Sequence, residues 1–226
     1  MAITKGDIIK LSFTGRLENG SVFDTTDEKT AKESNIFDED KRYEPMIIVV
    51  GSNTLVHGLE EDLVGKKTGQ KGKVTVTPEE AYGFRSLELI ETVSTKKFTE
   101  KIEPGQWVES GDKVGVVESV SGGRARIDYN EPLAGKTLIY EYKIDGIIQD
   151  KDEKVDAIIK GYVGPDTKYE HVGDTVSIEV PKGYYLENEW ILGKVLVARF
   201  LVSFVGVKEV NYKETFTEAD LVEKSE

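Results

Sequence analysis

The stretch "DIIKLSFTGRLENGSVFD", residues 7 to 24, constrains the fold more than any other part of the chain. It reads as two strands joined around Asn19-Gly20, a dipeptide suited to the positive φ angles of a tight hairpin turn. A chain that opens this way begins with antiparallel pairing. The second strand ends in "VFDTT", where Asp24 follows two apolar residues immediately before a long charged segment. A carboxylate in that place is either a solvated edge residue or a polar group set into an apolar site.

The segments that follow alternate between strand and helix patterns. Residues 25 to 45 are rich in charge and read as a solvated excursion. "MIIVVG" (46–51) is a short apolar strand. "TLVHGLEEDLVG" (54–65) places apolar residues at 55, 56, 59 and 63, a helical spacing with Gly65 as its stop. "QKGKVTVTPEEAYGF" (70–84) returns as a strand with Val74 and Val76 on one face, followed by a proline-containing turn. Further on, "VGVVESVSGGRARIDY" (114–129) is a second hairpin pattern, and "AGKTLIYEYKIDGII" (134–148) is a strand rich in β-branched and aromatic residues. The charged run "QDKDEK" (149–154) reads as a linker. Beyond it, "DAIIKGYVG" and "DTVSIEVPKG" read as strands. Residues 188 to 205 are apolar on nearly every face, as in a helix that must be buried.

Composition excludes several functions. The 226 residues carry a formal net charge of −12, which argues against a phosphate-neutralising surface and so against nucleic acid as a partner. Cysteine is absent, which removes disulfides, thiol catalysis and thiolate zinc sites. "WILGKVLVARFLVSFVGV" (190–207) approaches the length of a membrane span. Lys194 and Arg199 inside it would each cost about 2.5–3.5 kcal/mol at a bilayer centre, so no membrane insertion is expected. The opening residues "MAITKGDIIKLSF" have no secretory pattern, and the expected location is cytoplasmic. His57 and His171 lie far apart with no ligand spacing. The clusters Asp38-Glu39-Asp40 and Glu79-Glu80 read as solvated faces. No metal or other cofactor is expected.

Three segments together resemble the FKBP family of peptidyl-prolyl cis/trans isomerases: "FTGRLENGSVFDTT", "GLEEDLVGKKTGQKGKVTVTPEEAYG" and "LAGKTLIYEYKI", in that order. The resemblance covers residues 4 to 84 and 134 to 148. Its most specific pieces are the aromatic-Asp pair after the hairpin, the Gly-Leu-Glu helix start and Pro-Glu-x-Ala-Tyr-Gly. The intervening residues look like the insert-in-flap domain of SlyD-like members, which act as folding chaperones. The C-terminal region resembles that of long-type archaeal FKBPs. The implied fold is α+β: an antiparallel sheet wrapped on a short helix (1–85 and 134–150), interrupted by a mostly-β insert (86–133). A small α/β domain (151–226) would follow and could pair two copies into a homodimer.

The resemblance also implies a site. Phe13, Phe23, Met46, Leu55, Val56, Leu59 and Tyr140 would line a pocket for a proline ring, with Asp24 and Tyr82 as its catalytic polar members. Tyr82 would hydrogen-bond a substrate carbonyl, and Asp24 would act on the rotating amide or hold pocket groups in place. Read without the motifs, the same aromatic residues would more readily be core packing. Drug-binding members carry a tryptophan at the pocket floor and a tyrosine on the first strand. Here Leu59 and Phe13 stand in those places, as in SlyD-like members, so macrolide affinity is not carried over. The tail "ETFTEADLVEKSE" has no His or Cys, so nickel binding is not carried over either. The implied partners are unfolded polypeptides containing X–Pro bonds. The alternative is a binding-only holdase with a non-catalytic pocket.

Overall fold

Strand β1 (Ile8–Leu17) turns into β2 (Val22–Thr25) at Asn19-Gly20, where Gly20 takes φ +87°. The turn closes with Leu17 N–H donating to Ser21 O at 2.9 Å. The computed structural model describes residues 1–111, 113–184 and 188–217. Strand β9 (Leu138–Ile148) pairs antiparallel with the whole of β1. Strand β3 (Met46–Val49) pairs with the start of β1 on its other edge, and β4 (Lys71–Val76) lies beyond β9. The result is a five-stranded antiparallel sheet in the order β2-β1-β9-β4, with β3 also on β1.

Because strand side chains alternate between faces, each central strand feeds two cores. Ile9, Leu11, Ile48 and Ile144 pack under helix α2 (His57–Leu63), which contributes Leu59 and Leu63. Ile8, Val49 and Ile148 point the other way, into the core of the C-terminal region. The C-terminal region is therefore packed on the back of the sheet. The charged excursion carries a short helix, α1 (Glu28–Glu33), which the solvated reading of 25–45 did not anticipate; Asp27 caps it by accepting from Thr30 N–H.

Between β4 and β9, strands β5 (Ile90–Ser94), β6 (Trp107–Ser110), β7 (Lys113–Ser121) and β8 (Arg124–Asp128) form their own antiparallel sheet, in the order β5-β8-β7-β6. Val93, Ile102, Val108, Val117, Ala125 and Ile127 give it a separate small core. Its base is tied by Asn130, whose Oδ1 accepts from Ser86 N–H at 2.8 Å and whose Nδ2 donates to Ser86 O at 2.9 Å.

The C-terminal region departs from the sequence expectation in two places. "QDKDEK" is not a linker, and "DAIIKGYVG" is not a strand. Together they build helix α3 (Lys151–Tyr162). Asp150 is its N-cap, accepting from Asp152 and Glu153 N–H, and Val155, Ile158 and Ile159 form its buried stripe at helical spacing. Strands β10 (Tyr169–Val172), β11 (Thr175–Glu179) and β12 (Glu209–Lys213) form a third sheet, with β11 and β12 parallel. Helix α4 (Asn188–Phe200) runs into a π-helical turn over 201–205 that ends at Gly206, φ +81°. The C-terminal region covers this segment on one side only. Trp190, Val197, Phe200 and Leu201 are buried, but Ile191, Leu192 (76% exposed), Val195 and Val202 face outward. The end of the C-terminal tail, 218–226, lies outside the described residues.

No helix among the described residues is long and apolar enough to cross a membrane.

Candidate functional site

The aromatic-Asp pair owes its arrangement to a bulge. Thr14 and Gly15 pair with Thr25 and Asp24, but the next pair is Arg16 with Val22, which leaves Phe23 as the extra residue. In a regular strand, residues 23 and 24 would point to opposite faces; the bulge allows both to reach the same cavity. Gly15 makes room for this, since a Cβ there would lie 2.5 Å from the Phe23 ring. Tyr140, opposite Gly15 on β9, meets Phe13 and Phe23 edge-on, with ring centroids 5.9 and 5.6 Å apart.

A second wall comes from the turn leading into α2. The Gly-Leu-Glu start of that helix serves three separate purposes. Gly58 allows close approach to β4, because a Cβ would sit 2.7 Å from Val76 Cγ1. Leu59 is fully buried in the core. Glu60, only 4% exposed, turns its carboxylate back to accept from the N–H groups of Asn53, Thr54 and Leu55 at 3.3, 3.1 and 3.3 Å. The loop carrying Thr54, Leu55 and Val56 is thereby held against the cavity.

The third wall is Tyr82. A 3₁₀ turn over Pro78–Glu80 precedes it, and Gly83 follows at φ +73° with its N–H donating to Pro78 O at 2.7 Å. Tyr82 is half-exposed at the rim. Burial, and then the Asp24 and Glu131 carboxylates, raise its phenol above the ordinary tyrosine range. The same logic raises Tyr140 further, through burial first and then Tyr82 and Asp24. Both phenols are thus held in the neutral form that can donate a hydrogen bond. Asp24 itself pairs with Lys41 Nζ.

These elements enclose a cavity of about 300 Å³ lined by Phe13, Phe23, Asp24, Met46, Thr54, Leu55, Val56, Tyr82, Leu133 and Tyr140. Eight of the nine expected residues therefore meet at one cavity. Leu59 does not: it is packed in the core and does not line the opening. Thr54, Leu133, Lys41 and Glu60 were missed from sequence. Of these only Glu60 had a signal, as the third member of Gly-Leu-Glu. A larger cavity of about 770 Å³ lies between α3 and the 42–47 segment, with charged walls and none of the expected residues. His57 pairs with Glu61 at 3.3 Å and His171 with Asp152 at 2.7 Å, and neither is among the residues lining the cavity. Among the described residues no group of three His, Cys, Asp or Glu side chains is placed to hold a metal ion. The cavity is suited to an apolar ring, with the neutral Tyr82 hydroxyl as a donor and the Asp24 carboxylate at its edge.

Residues 1–142 match the family described as FKBP-type peptidyl-prolyl cis-trans isomerase, and residues 151–217 match the family described as FKBP26 C-terminal. The short-type peptidyl-prolyl cis-trans isomerase of Methanocaldococcus jannaschii is 32% identical over 145 residues, covering 63% of this chain and 92% of that protein. The FKBP-type isomerase SlyD of Aeromonas hydrophila is 32% identical over 152 residues, 65% of each chain. SlyD of Helicobacter pylori is 29% identical over 129 residues, 54% of this chain and 69% of that protein.

Proposed function

The chain belongs to the FKBP-type peptidyl-prolyl cis-trans isomerase family, and we propose that it isomerises X–Pro bonds of unfolded polypeptides in the 300 Å³ cavity while the inserted sheet holds the client. The observation that supports this reading is the convergence of Phe13, Phe23, Asp24, Tyr82 and Tyr140 on one apolar opening.

Amide resonance sets a barrier of about 18–20 kcal/mol to rotation, and lowering it needs no nucleophile and no cofactor. An enzyme need only bind the twisted amide more tightly than the planar one. At the twist the nitrogen and carbonyl decouple and the amide dipole falls, so an apolar cavity favours that state relative to water. The proline ring lies among Phe13, Phe23, Val56 and Tyr140. The Tyr82 hydroxyl donates to a substrate carbonyl and fixes it while the bond turns, and the Asp24 carboxylate faces the rotating amide. Y82F and D24N are each expected to lower kcat/KM for a short X–Pro peptide about tenfold, the effect of about 1.4 kcal/mol at the transition state. Thermal unfolding should be unchanged, since neither side chain fills a core. Unchanged rates in both variants would remove the catalytic assignment. The same peptide separates this reading from a binding-only holdase, which would not accelerate isomerisation.

The client-holding role rests on apolar side chains exposed on and beside the inserted sheet: Phe84, Leu87, Leu89, Trp107, Val114 and Val120. Such a surface suits transient contact with unfolded chains. A cytoplasmic location belongs to the same proposal and fits a chain without cysteine.

The outward face of α4 supports a homodimer. Ile191, Leu192, Val195 and Val202 form one exposed apolar stripe, which soluble monomers generally avoid and which symmetric pairing covers. Light scattering on the full chain is expected to give the mass of two copies, and L192E with V195E the mass of one. A monomeric mass for the unaltered chain across micromolar concentrations would end the dimer hypothesis.

A further inference from the structure

Four hydrogen bonds cross between the C-terminal region and the segments beside the cavity. Arg42 Nη1 and Nη2 donate to Lys160 O and Gly161 O, both at 3.2 Å, so its guanidinium meets carbonyls of the last turn of α3. Those carbonyls lack helical partners, and a cation there is favoured by the helix dipole. Tyr162 Oη donates to Ile47 O at 2.8 Å, and Arg199 Nη2 donates to Ser52 O at 3.2 Å. Each anchor adjoins a cavity residue or the partner of one. Arg42 follows Lys41, the partner of Asp24, and Ile47 follows Met46. Ser52 bonds through its hydroxyl to that of Thr54 at 3.1 Å.

The packing keeps these contacts in place. A Cβ on Gly161 would lie 3.0 Å from Ile47 Cβ, so glycine there lets α3 approach β3 closely. The Tyr162 ring meets the buried Phe200 edge-on at 5.1 Å. Burial raises the Tyr162 phenol to about 12, and Thr54 and Glu60 lie near enough to shift it in opposite senses.

We propose that Arg42, Tyr162 and Arg199 are positioning residues for isomerisation, through which a domain with no described residue in the cavity sets two sides of it. The inference rests on the cavity being the active site. The walls differ in chemistry, so the anchors should differ in kinetic signature. Arg42 and Tyr162 hold the segment that presents Lys41 and Met46, next to the carboxylate acting at the twist. Their loss should act on kcat. Arg199 holds the Ser52–Leu55 turn, an apolar wall that binds the proline ring in both planar and twisted states. Its loss should act on KM.

The test uses the full chain, a short X–Pro peptide, and R42A, Y162F and R199A beside Y82F and D24N. R42A and Y162F are expected to lower kcat about fivefold with KM little changed, and R199A to raise KM about fivefold with kcat little changed. R199K, which keeps one donor for Ser52 O, should recover most of the loss. R42K should recover only part, because an ammonium cannot span two carbonyls in the guanidinium's fork geometry. Urea unfolding of each variant gives its folded fraction, by which rates are corrected. If Y82F loses activity while the three anchor variants stay within twofold of the parent, or lose only what their folded fraction explains, the positioning role is wrong and the cavity stands. If Y82F and D24N both keep the parent rate, the cavity reading falls, and this inference with it.

Discussion

Replacing residues 87–129 by a short loop is expected to leave isomerisation of a short X–Pro peptide within about tenfold of the parent, while catalysis of protein refolding falls about a hundredfold. The first half follows from the connectivity. Among the described residues, strands β5 to β8 pair only with one another and enclose their own core. Tyr82 and Leu133, which line the cavity on either side of the insert, lie outside the replaced segment. Asn130 stays at the base to hold Ser86, and Gly135 N–H still donates to Gly83 O at 2.8 Å. The second half follows from effective concentration. A client held on the insert presents its X–Pro bonds to the cavity intramolecularly, and such tethering is worth about 10²–10⁴ in apparent affinity. Protease-coupled or direct peptide kinetics report the first quantity, and refolding of a proline-limited substrate protein reports the second. An equal loss in both assays would show that the insert is part of the catalytic pocket and not a separate holding surface.

Local chemistry explains which parts of this architecture were legible in the sequence. The first hairpin was readable because Asn19-Gly20 has few alternatives to a tight turn, and the second because Gly122 and Gly123 both take positive φ. Helix α3 was misread because "VDAIIKGYV" is rich in β-branched residues. Its helical signal lies upstream, in a charged run that looks like a linker until Asp150 is recognised as a cap with Asp152 and Glu153 in the first turn. Helix α4 was read as apolar on nearly every face and in need of cover, but composition alone cannot say which faces find it within the chain. Ile191 and Leu192 belong to the same apolar run as Trp190, yet only Trp190 is buried.

At the site, residue identity was more legible than position. Phe13, Phe23, Asp24, Tyr82 and Tyr140 follow from family motifs, but the bulge that turns Phe23 and Asp24 to one cavity is a register shift that residue types do not announce. Leu59 shows the converse. Its place in the motif pointed to the pocket, whereas its side chain completes the core beneath. Lys41 could not be found by spacing, because its partner Asp24 lies 17 residues away across a charged excursion. The anchors Arg42, Tyr162 and Arg199 depend on how the C-terminal region docks on the sheet, which no local pattern encodes.

The largest single-residue effect on stability is expected at Glu60. Its two carboxylate oxygens serve three backbone donors, with Oε1 accepting from Thr54 and Leu55 and Oε2 from Asn53. The loop they stabilise includes Asn53 at φ +62°, a left-handed conformation that asparagine tolerates better than most residues. E60A would leave these donors in a part-buried site without an acceptor. Hydrogen bonds to a charged group contribute about 1.5–3 kcal/mol each, and a stranded donor costs about 1–3 kcal/mol, but relaxation and water entry prevent simple addition. A loss of about 3 kcal/mol is expected, read as a lower urea midpoint at unchanged slope. E60Q should lose about half as much, because one amide oxygen can still accept while the NH₂ group faces a donor. The cavity should report the same event, since Thr54 and Leu55 line it: kcat/KM of the folded fraction should fall in E60A, more than in E60Q. A loss below about 1 kcal/mol in E60A would mean that the loop holds its shape without the carboxylate, and that Gly-Leu-Glu matters only through its glycine and leucine.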